Sequence, residues 1–294
     1  MEEVACNLCG SASFTVVRQA TVVATPSVFY ITNHVGARHY RIVRCDKCAL
    51  LYCSPRPTPG ELAEFYARLD DPVYAAERDG RTRTAIMQVR DLLRFVSHGK
   101  LLELGSACGF FVEAASRAGL EVTGVEPSDW ARSYAQETLG LSLLGGAVED
   151  HDFPDRHFDA VCMFDLLEHL PDPRGTLLEI ARVLRRGGVV YLSTPDAGSL
   201  LARVLGRNWW GLKPEHLFYF TRRSLGRLVS DTGFDLCEVR AVYRHFTVAY
   251  WIRNLRYYSG FMWPLLRPLS WRPLGQCTLR VSFPDQMRVV ARKR

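Results

Sequence analysis

The sequence predicts an α/β protein whose core is a doubly wound, mostly parallel sheet of seven strands. Residues 100–127 read in turn as a strand, a glycine-rich turn, a helix and a second strand. After them, strand-like and helix-like segments alternate with short connections as far as residue 239, which is typical of a wound parallel sheet. The chain has 294 residues, 48% of them apolar, so it can bury such a core in one large domain or about two.

The first strand and its turn carry the clearest functional pattern. Leu101, Leu102 and Leu104 form an apolar run, as in a strand buried on both faces, and the run stops at Gly105. The second strand ends on Glu126, 126 − 105 = 21 positions beyond that glycine. In such units the turn brings backbone N–H groups close to a ligand, and an acid about 20 residues on binds ribose hydroxyls. The unit therefore predicts a site for a nucleoside-containing ligand; a glycine-rich turn in some other α/β sheet is the alternative.

The rest of the predicted sheet consists of short apolar runs separated by amphipathic segments. Strands are predicted at 101–104, 122–125, 142–144, 160–164, 189–193, 234–239 and 287–291. Helices are predicted from about 81 to 96, 128 to 138, 174 to 185 and 221 to 232.

Four of the nine cysteines form two CxxC pairs, Cys6 with Cys9 and Cys45 with Cys48. Four thiolates can close a tetrahedron around Zn²⁺, and the gap between the pairs leaves room for strands. We therefore predict a small N-terminal zinc ribbon over residues 1–59. The alternatives are four unrelated cysteines or a redox CxxC, and the polar surroundings of both pairs disfavour the latter.

A linker with three prolines, SPRPTPG, follows the ribbon. Thr58 and Glu61 have the spacing of a capping box, which opens a helix. The segment after the core is rich in aromatic residues and arginine, which fits a lid on the sheet, a dimer face or a peripheral membrane contact. Beyond the ribbon, the predicted parts are a linker and helical cap (60–99), the core (100–240), this insertion (241–283) and a last core strand (284–294).

The net charge of +6 is unevenly distributed along the chain. Residues 101–194 carry 7 basic and 15 acidic groups, whereas residues 241–294 carry 10 basic groups and 1 acidic group. A local anionic partner fits this distribution better than nucleic acid does. Since the chain has no apolar run of transmembrane length and its acidic start is unlike a signal peptide, we expect a cytoplasmic protein.

Three motifs resemble those of class I S-adenosylmethionine (SAM) methyltransferases. ELGSACG (103–109) resembles their E/DxGxGxG motif, with Ala107 in place of the middle glycine. HFDAVCMFDLLEHLPDP (157–173) and RVLRRGGVVYLSTP (182–195) resemble their fourth-strand and fifth-strand regions. The resemblance implies a Rossmann-like methyltransferase sheet with SAM as its cofactor.

Carried over by motif, the resemblance also implies where SAM lies. The glycine turn would line its methionine end, Glu126 would hold both ribose hydroxyls, and Ala147 to Glu149 would border the adenine. Phe164 and Asp165 would face the site of methyl transfer, although helix capping and loop hydrogen bonding are the alternative for Asp165 and His169. The implied cofactor-binding set is Glu103, Gly105, Ser106, Ala107, Cys108, Gly109, Phe110, Glu126, Pro127, Ala147, Val148, Glu149, Phe164, Asp165 and His169.

Two CxxC pairs followed by such a domain resemble zinc-bearing sugar and natural-product methyltransferases. PEHLFYFTRRSL (214–225) resembles a Glu-His segment of the sugar enzymes, which implies that His216 is the general base with Glu215 beside it. An ordinary loop histidine is the alternative. Tyr74 is a further candidate, placed to close over the cofactor. The implied acceptor is a small polar molecule, phosphorylated or nucleotide-linked compounds included, methylated on oxygen, nitrogen or carbon.

Two other functions stay open at this point. Zinc-ribbon heads also occur on ribosomal-RNA methyltransferases, but the acidic core and the lack of lysine-rich stripes argue against RNA. A non-catalytic binding protein of the same fold is the second alternative. The sequence does not specify an oligomeric state.

Overall fold

The computed structural model describes residues 1–22, 38–258, 271 and 274–294, with only the backbone for 254–258. The strands are β1 (Phe14–Arg18), β2 (Ile42–Cys45), β3 (Leu51–Cys53), β4 (Lys100–Leu104), β5 (Glu121–Val125), β6 (Phe158–Phe164), β7 (Leu184–Pro195), β8 (Phe218–Tyr219), β9 (Phe234–Thr247) and β10 (Thr278–Lys293). The helices are α1 (Pro59–Ala67), α2 (Pro72–Ala76), α3 (Arg78–Leu92), α4 (Phe110–Arg117), α5 (Asp129–Leu139), α6 (Pro173–Val183), α7 (Leu200–Leu205), α8 (Arg222–Asp231) and α9 (Val248–Tyr258).

Six of the described strands form the central sheet, in the order β5-β4-β6-β7-β10-β9. The strands β5, β4, β6 and β7 pair in parallel, whereas β10 is antiparallel to both β7 and β9. The predicted parallel core is confirmed, and the sheet as a whole is mixed.

The predicted strand at residues 142–144 is wrong. Within the described residues, Leu144 makes only an isolated parallel bridge with Val125 at the edge of the sheet. Two glycines follow at once, and Gly146 has a φ of 80°, which turns the chain away from the sheet. Pairing therefore stops after one residue.

Alternate residues of the central strands face two apolar layers, as expected of a doubly wound sheet. Leu102 of β4 and Met163 of β6 belong to one buried cluster, together with side chains of α6 and α8. Leu101 and Cys162 belong to the other, together with side chains of α3 and α4. Burial on both faces explains why these strands are continuous apolar runs.

The N-terminal sheet has the order β1-β2-β3-β8, so one of its strands comes from the second half of the chain. Leu51 pairs with Tyr219, and Tyr52 pairs with Phe218. Buried residues of this sheet share one apolar cluster with the central sheet and α6. The predicted ribbon therefore packs directly on the core.

The predicted insertion at 241–283 begins as a continuation of β9 and ends as the first part of β10, and these strands pair along most of their length. Its residues 259–270, 272 and 273 lie outside the described residues, so the predicted lid, dimer face or membrane contact stays a prediction. No helix in the described part of the chain combines the length and the apolar character that a membrane span requires.

The capping box predicted at the start of α1 is confirmed. The Thr58 side chain accepts from the Glu61 N–H at 3.3 Å, and the Thr58 N–H donates to Glu61 Oε2 at 2.8 Å. This capping stabilises the first turn of α1, and Leu62 and Tyr66 of that helix line a cavity at the edge of the central sheet.

Candidate functional site

A cavity of about 910 Å³ lies at the carboxyl ends of β4, β5 and β6. Ligands of open α/β sheets bind at this edge because the connecting loops diverge there. Most of the predicted site residues line it: Tyr74, Glu103, Gly105, Ser106, Ala107, Phe110, Glu126, Pro127, Ala147, Val148, Glu149, Phe164, Asp165, His169 and His216. The structure thus brings residues from distant parts of the sequence to one site.

The glycine turn has the backbone conformation that its motif requires. Gly105 and Gly109 have φ values of 70° and 79°, and Ala107 has a φ of 46°. An alanine in this left-handed region is strained, but it keeps the turn in the shape that glycine would adopt. A Cβ atom at Gly105 would lie 3.3 Å from the Leu166 side chain, a tight contact that adds to the strain of the positive φ.

Glu126 is held in a fixed orientation at the end of β5. Its Oε2 atom accepts from the Ala107 N–H at 2.7 Å, and its Oε1 atom accepts from the Ser128 N–H at 2.9 Å. Burial raises the pKa of its carboxyl, and the two N–H groups oppose that shift. Each carboxylate oxygen retains a second lone pair, so the group can still accept two hydroxyl donors.

Glu103 is a second buried carboxyl in the cavity wall, 3% exposed. Burial raises its pKa to about 8, and the charge of Glu126 adds to the shift. Its Oε2 atom has no hydrogen-bond partner within the described residues. A cationic ligand group beside it would offset the cost of burying its charge.

The segment predicted to border an adenine forms a 3₁₀ turn at Val148–Asp150. The Ala147 N–H donates to Asp150 Oδ2 at 2.7 Å, and Glu149 Oε1 accepts from the Thr176 hydroxyl at 2.6 Å. Both groups are therefore already engaged within the protein, and Val148 is buried.

One end of the cavity is aromatic and basic, and its arginines were not among the predicted site residues. Arg81 of α3 packs over the Tyr74 ring at 4.2 Å, and its Nε atom has no hydrogen-bond partner among the described residues. Arg244 of β9 is paired with Asp165 at 2.5 Å. The aromatic residues at this end are Trp210, Phe246, Tyr250, Trp251 and Phe283. The aromatic and arginine content of the predicted insertion pointed to four of these aromatic residues, whereas Trp210 lies outside that segment.

Two histidines and a glutamate meet beside this aromatic end. The rings of His169 and His216 are perpendicular, with centroids 4.8 Å apart. Glu168, which the sequence analysis did not select, lies between β6 and α6 with its Oε1 atom 3.9 Å from His169 Nε2. Burial and the nearby Lys213 charge lower the pKa of His169 to about 4. Glu168 belongs to the EHL string that was recognised in the sequence, but only the histidine of that string was selected as a site residue.

Three predicted residues do not line the cavity: Cys108, Gly109 and Glu215. The expected support of His216 by Glu215 is not formed, because neither carboxyl oxygen of Glu215 has a hydrogen-bond partner among the residues that the structure describes, His216 included. Instead Lys213 Nζ lies 3.8 Å from Glu215, and His216 donates from Nδ1 to the Gly211 carbonyl at 2.8 Å. Adjacent residues point in different directions here, which separates the two side chains.

The four cysteines of the ribbon converge on one point. Cys6 and Cys48 Sγ atoms are 3.4 Å apart, those of Cys9 and Cys45 are 3.5 Å apart, and all four lie within 4.8 Å of one another. Sulfur ligands about 2.3 Å from a tetrahedral Zn²⁺ lie about 3.8 Å apart. The cluster is compatible with a zinc site.

Comparison with protein families adds the deciding observation. The family described as "Methyltransferase domain" matches residues 74–239, more than half of the chain. The chain belongs to this methyltransferase family. Its fold and motifs place the domain in class I, the SAM-dependent group.

Two curated relatives are named ubiquinone biosynthesis O-methyltransferase. The one from Proteus mirabilis is 35% identical over 102 residues, covering 32% of this chain and 41% of that protein. The one from Yersinia pestis is 36% identical over 118 residues, covering 37% of this chain and 49% of that protein. This chain thus spans less than half the length of these relatives.

Solved structures confirm the fold of this methyltransferase. A chain from the complex of the Haloferax volcanii Trm112 methyltransferase activator with a methyltransferase has a TM-score of 0.52 and 20% identity, covering 76% of this chain and 99% of that one. A SAM-dependent methyltransferase from Archaeoglobus fulgidus has a TM-score of 0.51 and 16% identity, covering 76% and 100%.

Proposed function

We propose that this protein transfers a methyl group from SAM to an oxygen atom of a small acceptor molecule. The observation that carries the proposal is a single cavity that joins a nucleoside-type end, with the glycine turn and Glu126, to an aromatic and basic end with two histidines. The curated relatives named as O-methyltransferases support oxygen as the methylated atom.

The residues present fit SAM. Glu126 would accept hydrogen bonds from the ribose hydroxyls, since the Ala107 and Ser128 N–H groups already fix its orientation. Glu103 would face the positive charge of the methionine end of SAM. Its Oε2 atom has no hydrogen-bond partner among the described residues, so SAM would give it a cationic neighbour. When bound, SAM supplies a methyl group activated by a sulfonium, so the protein needs only to orient the acceptor and remove its proton.

The aromatic and basic end indicates the class of acceptor. Arg81 presents a partly buried guanidinium to the cavity, stacked on Tyr74, while the charge of Arg244 is already balanced by Asp165. An aromatic acceptor that carries an anionic group would pack on the rings and pair with Arg81. The proton of its hydroxyl would leave in the neighbourhood of His169 and His216.

Calorimetric titration of the full chain with SAM tests the proposal. Glu126→Ala should weaken SAM binding about 100-fold, because it removes two charge-assisted hydrogen bonds of about 1.5 kcal/mol each. Glu137→Ala is the matched control, since Glu137 lies exposed on α5 away from the cavity. Absence of binding to the unaltered chain, or equal affinity of Glu126→Ala, would contradict the proposal.

A further inference from the structure

We propose that Glu168, His169 and His216 bind a divalent first-row transition metal ion at the acceptor end of the cavity. This inference rests on the proposed function, because it assigns the ion to the same site. It is independent of the cysteine cluster, which offers four sulfur ligands on the N-terminal sheet.

The three side chains offer ligand atoms that converge. One carboxylate oxygen and one nitrogen from each imidazole lie within 4.8 Å of one another. Ligand atoms around a six-coordinate ion at about 2.1 Å lie about 3 Å apart, so binding would draw the cluster inward by roughly an ångström. Since all three residues line the cavity, the remaining coordination positions would open toward an acceptor.

The carboxylate of Glu168 has an unmet requirement for a positive partner. The residue is 1% exposed, and its Oε2 atom accepts from the Thr194 hydroxyl at 2.8 Å. Its Oε1 atom, on the side of His169, has no hydrogen-bond partner in the part of the chain that the structure describes. A buried carboxylate oxygen without a donor is costly, and a cation at this point would offset that cost.

Each imidazole makes a hydrogen bond through the ring nitrogen that would not bind the metal, as metal-binding histidines usually do. His216 donates from Nδ1 to the Gly211 carbonyl at 2.8 Å, which assigns its Nε2 atom as the metal ligand. His169 Nδ1 is 3.0 Å from the Tyr66 hydroxyl, and its Nε2 atom is the one that faces Glu168. Two imidazoles and one carboxylate with open positions are a donor set typical of Fe²⁺, Mn²⁺ and Zn²⁺.

A divalent ion here has a defined use in methyl transfer. An acceptor hydroxyl next to it would release its proton to water at a lower pH. The resulting oxygen forms the new bond to the methyl carbon while the carbon–sulfur bond of SAM breaks, and S-adenosylhomocysteine leaves with the electron pair. In this arrangement His216 is a ligand rather than the general base that the sequence suggested.

Mn²⁺ is the probe that separates this site from the cysteine cluster, because sulfur ligands select zinc and Mn²⁺ prefers oxygen. Titration of the full chain loaded with one equivalent of zinc, the amount that the cysteine cluster takes up, should show one bound Mn²⁺ ion per chain when free Mn²⁺ is followed by electron paramagnetic resonance. Glu168→Gln and His169→Gln should each weaken binding at least tenfold. Thr194→Val, which removes the hydrogen bond to Glu168, should weaken it about tenfold.

Glu215→Gln is the matched control, because it alters a buried carboxyl next to His216 that does not belong to the cluster. It should bind Mn²⁺ like the unaltered chain. Absence of Mn²⁺ binding by the unaltered chain, or equal binding by Glu168→Gln and His169→Gln, would overturn the inference. Calorimetry with SAM on the same samples shows that each variant is folded. If the unaltered chain does not bind SAM, that result contradicts the proposed function instead.

Discussion

At the scale of single residues, Glu103 shows how burial prepares a group for a charged ligand. Its carboxyl has a pKa of about 8 in the free protein, against an ordinary value of 4.5, because burial disfavours the charged form. Between these two pH values the folded protein holds a proton that the unfolded chain has lost. The contribution of Glu103 to the stability of the free protein should therefore fall as the pH rises from 4.5 to 8.

This shift predicts proton release when SAM binds. The positive charge of the ligand should lower the pKa of Glu103, so that up to about one proton leaves the protein near pH 7. Calorimetry in buffers of different ionisation enthalpy measures that number. Glu103→Gln should release correspondingly less, whereas Glu137→Gln should behave like the unaltered chain; equal release by all three proteins would contradict this role.

Some residues of the candidate site could be predicted from the sequence, and others could not. Glu126 and the glycine turn were predictable because one continuous segment contains the whole unit. Glu168, Arg81 and Arg244 could not be predicted, since each comes from a different part of the chain. The role of each depends on neighbouring residues that are distant in sequence. The expected partnership of Glu215 with His216 failed because adjacency in sequence does not set the direction of side chains.

At the scale of elements, β5 passes directly beneath the glycine turn. A Cβ atom at Gly124 would lie 2.6 Å from Leu143, 2.7 Å from Ser106 and 2.9 Å from Val112. Glycine is thus required in the middle of this strand for close packing of the turn on the sheet.

Gly124→Ala should therefore destabilise the protein by about 1–3 kcal/mol, the usual cost of overpacking. Gly60→Ala is the matched control, because Gly60 lies in α1 with nothing within 4 Å of a built Cβ atom. That change should be neutral or stabilising by up to about 1 kcal/mol. Urea unfolding measures both, and an equal midpoint for Gly124→Ala and the unaltered chain would refute the packing argument.

The periodicity of the sequence predicted most elements of the central sheet because their apolar runs are long and regular. The periodicity failed at residues 142–144, because a short apolar segment there resembles a strand in the sequence. In the structure, the glycines after it turn the chain away from the sheet. The periodicity also missed β8, whose two residues pair with β3 only through the tertiary fold.

At the scale of the whole molecule, the N-terminal sheet forms part of the framework of the candidate site. The Cys53 N–H donates to the Leu217 carbonyl at 2.8 Å, and the Cys53 thiol contacts the His216 carbonyl at 3.4 Å. Phe218 of β8, in this same sheet, donates its N–H to the Glu168 carbonyl at 3.1 Å. Hydrogen bonds therefore connect the sheet that carries the cysteine cluster to the acceptor end of the cavity.

Loss of the zinc ion predicted for the cysteine cluster should loosen this connection. In Cys45→Ser, amide hydrogens of residues 217–219 should exchange at least tenfold faster. The strand β8 then loses the fixed neighbour β3, and the hydrogen bonds from the Leu217 and Phe218 N–H groups to the Glu168 carbonyl open more often. Amides of β5, on the far edge of the central sheet, should keep their protection. Hydrogen exchange read by mass spectrometry measures both regions, and unchanged exchange at 217–219 would show that the ribbon and the site are independent.

The central claim is that one cavity holds SAM by its ribose and places the methyl group near the two histidines. A crystal structure with S-adenosylhomocysteine tests it most directly. We predict density across the carboxyl ends of β4 and β5, with both ribose hydroxyls on the Glu126 carboxylate and the sulfur directed toward the His169 and His216 end. A ligand bound elsewhere, or a ribose that does not contact Glu126, would contradict the account.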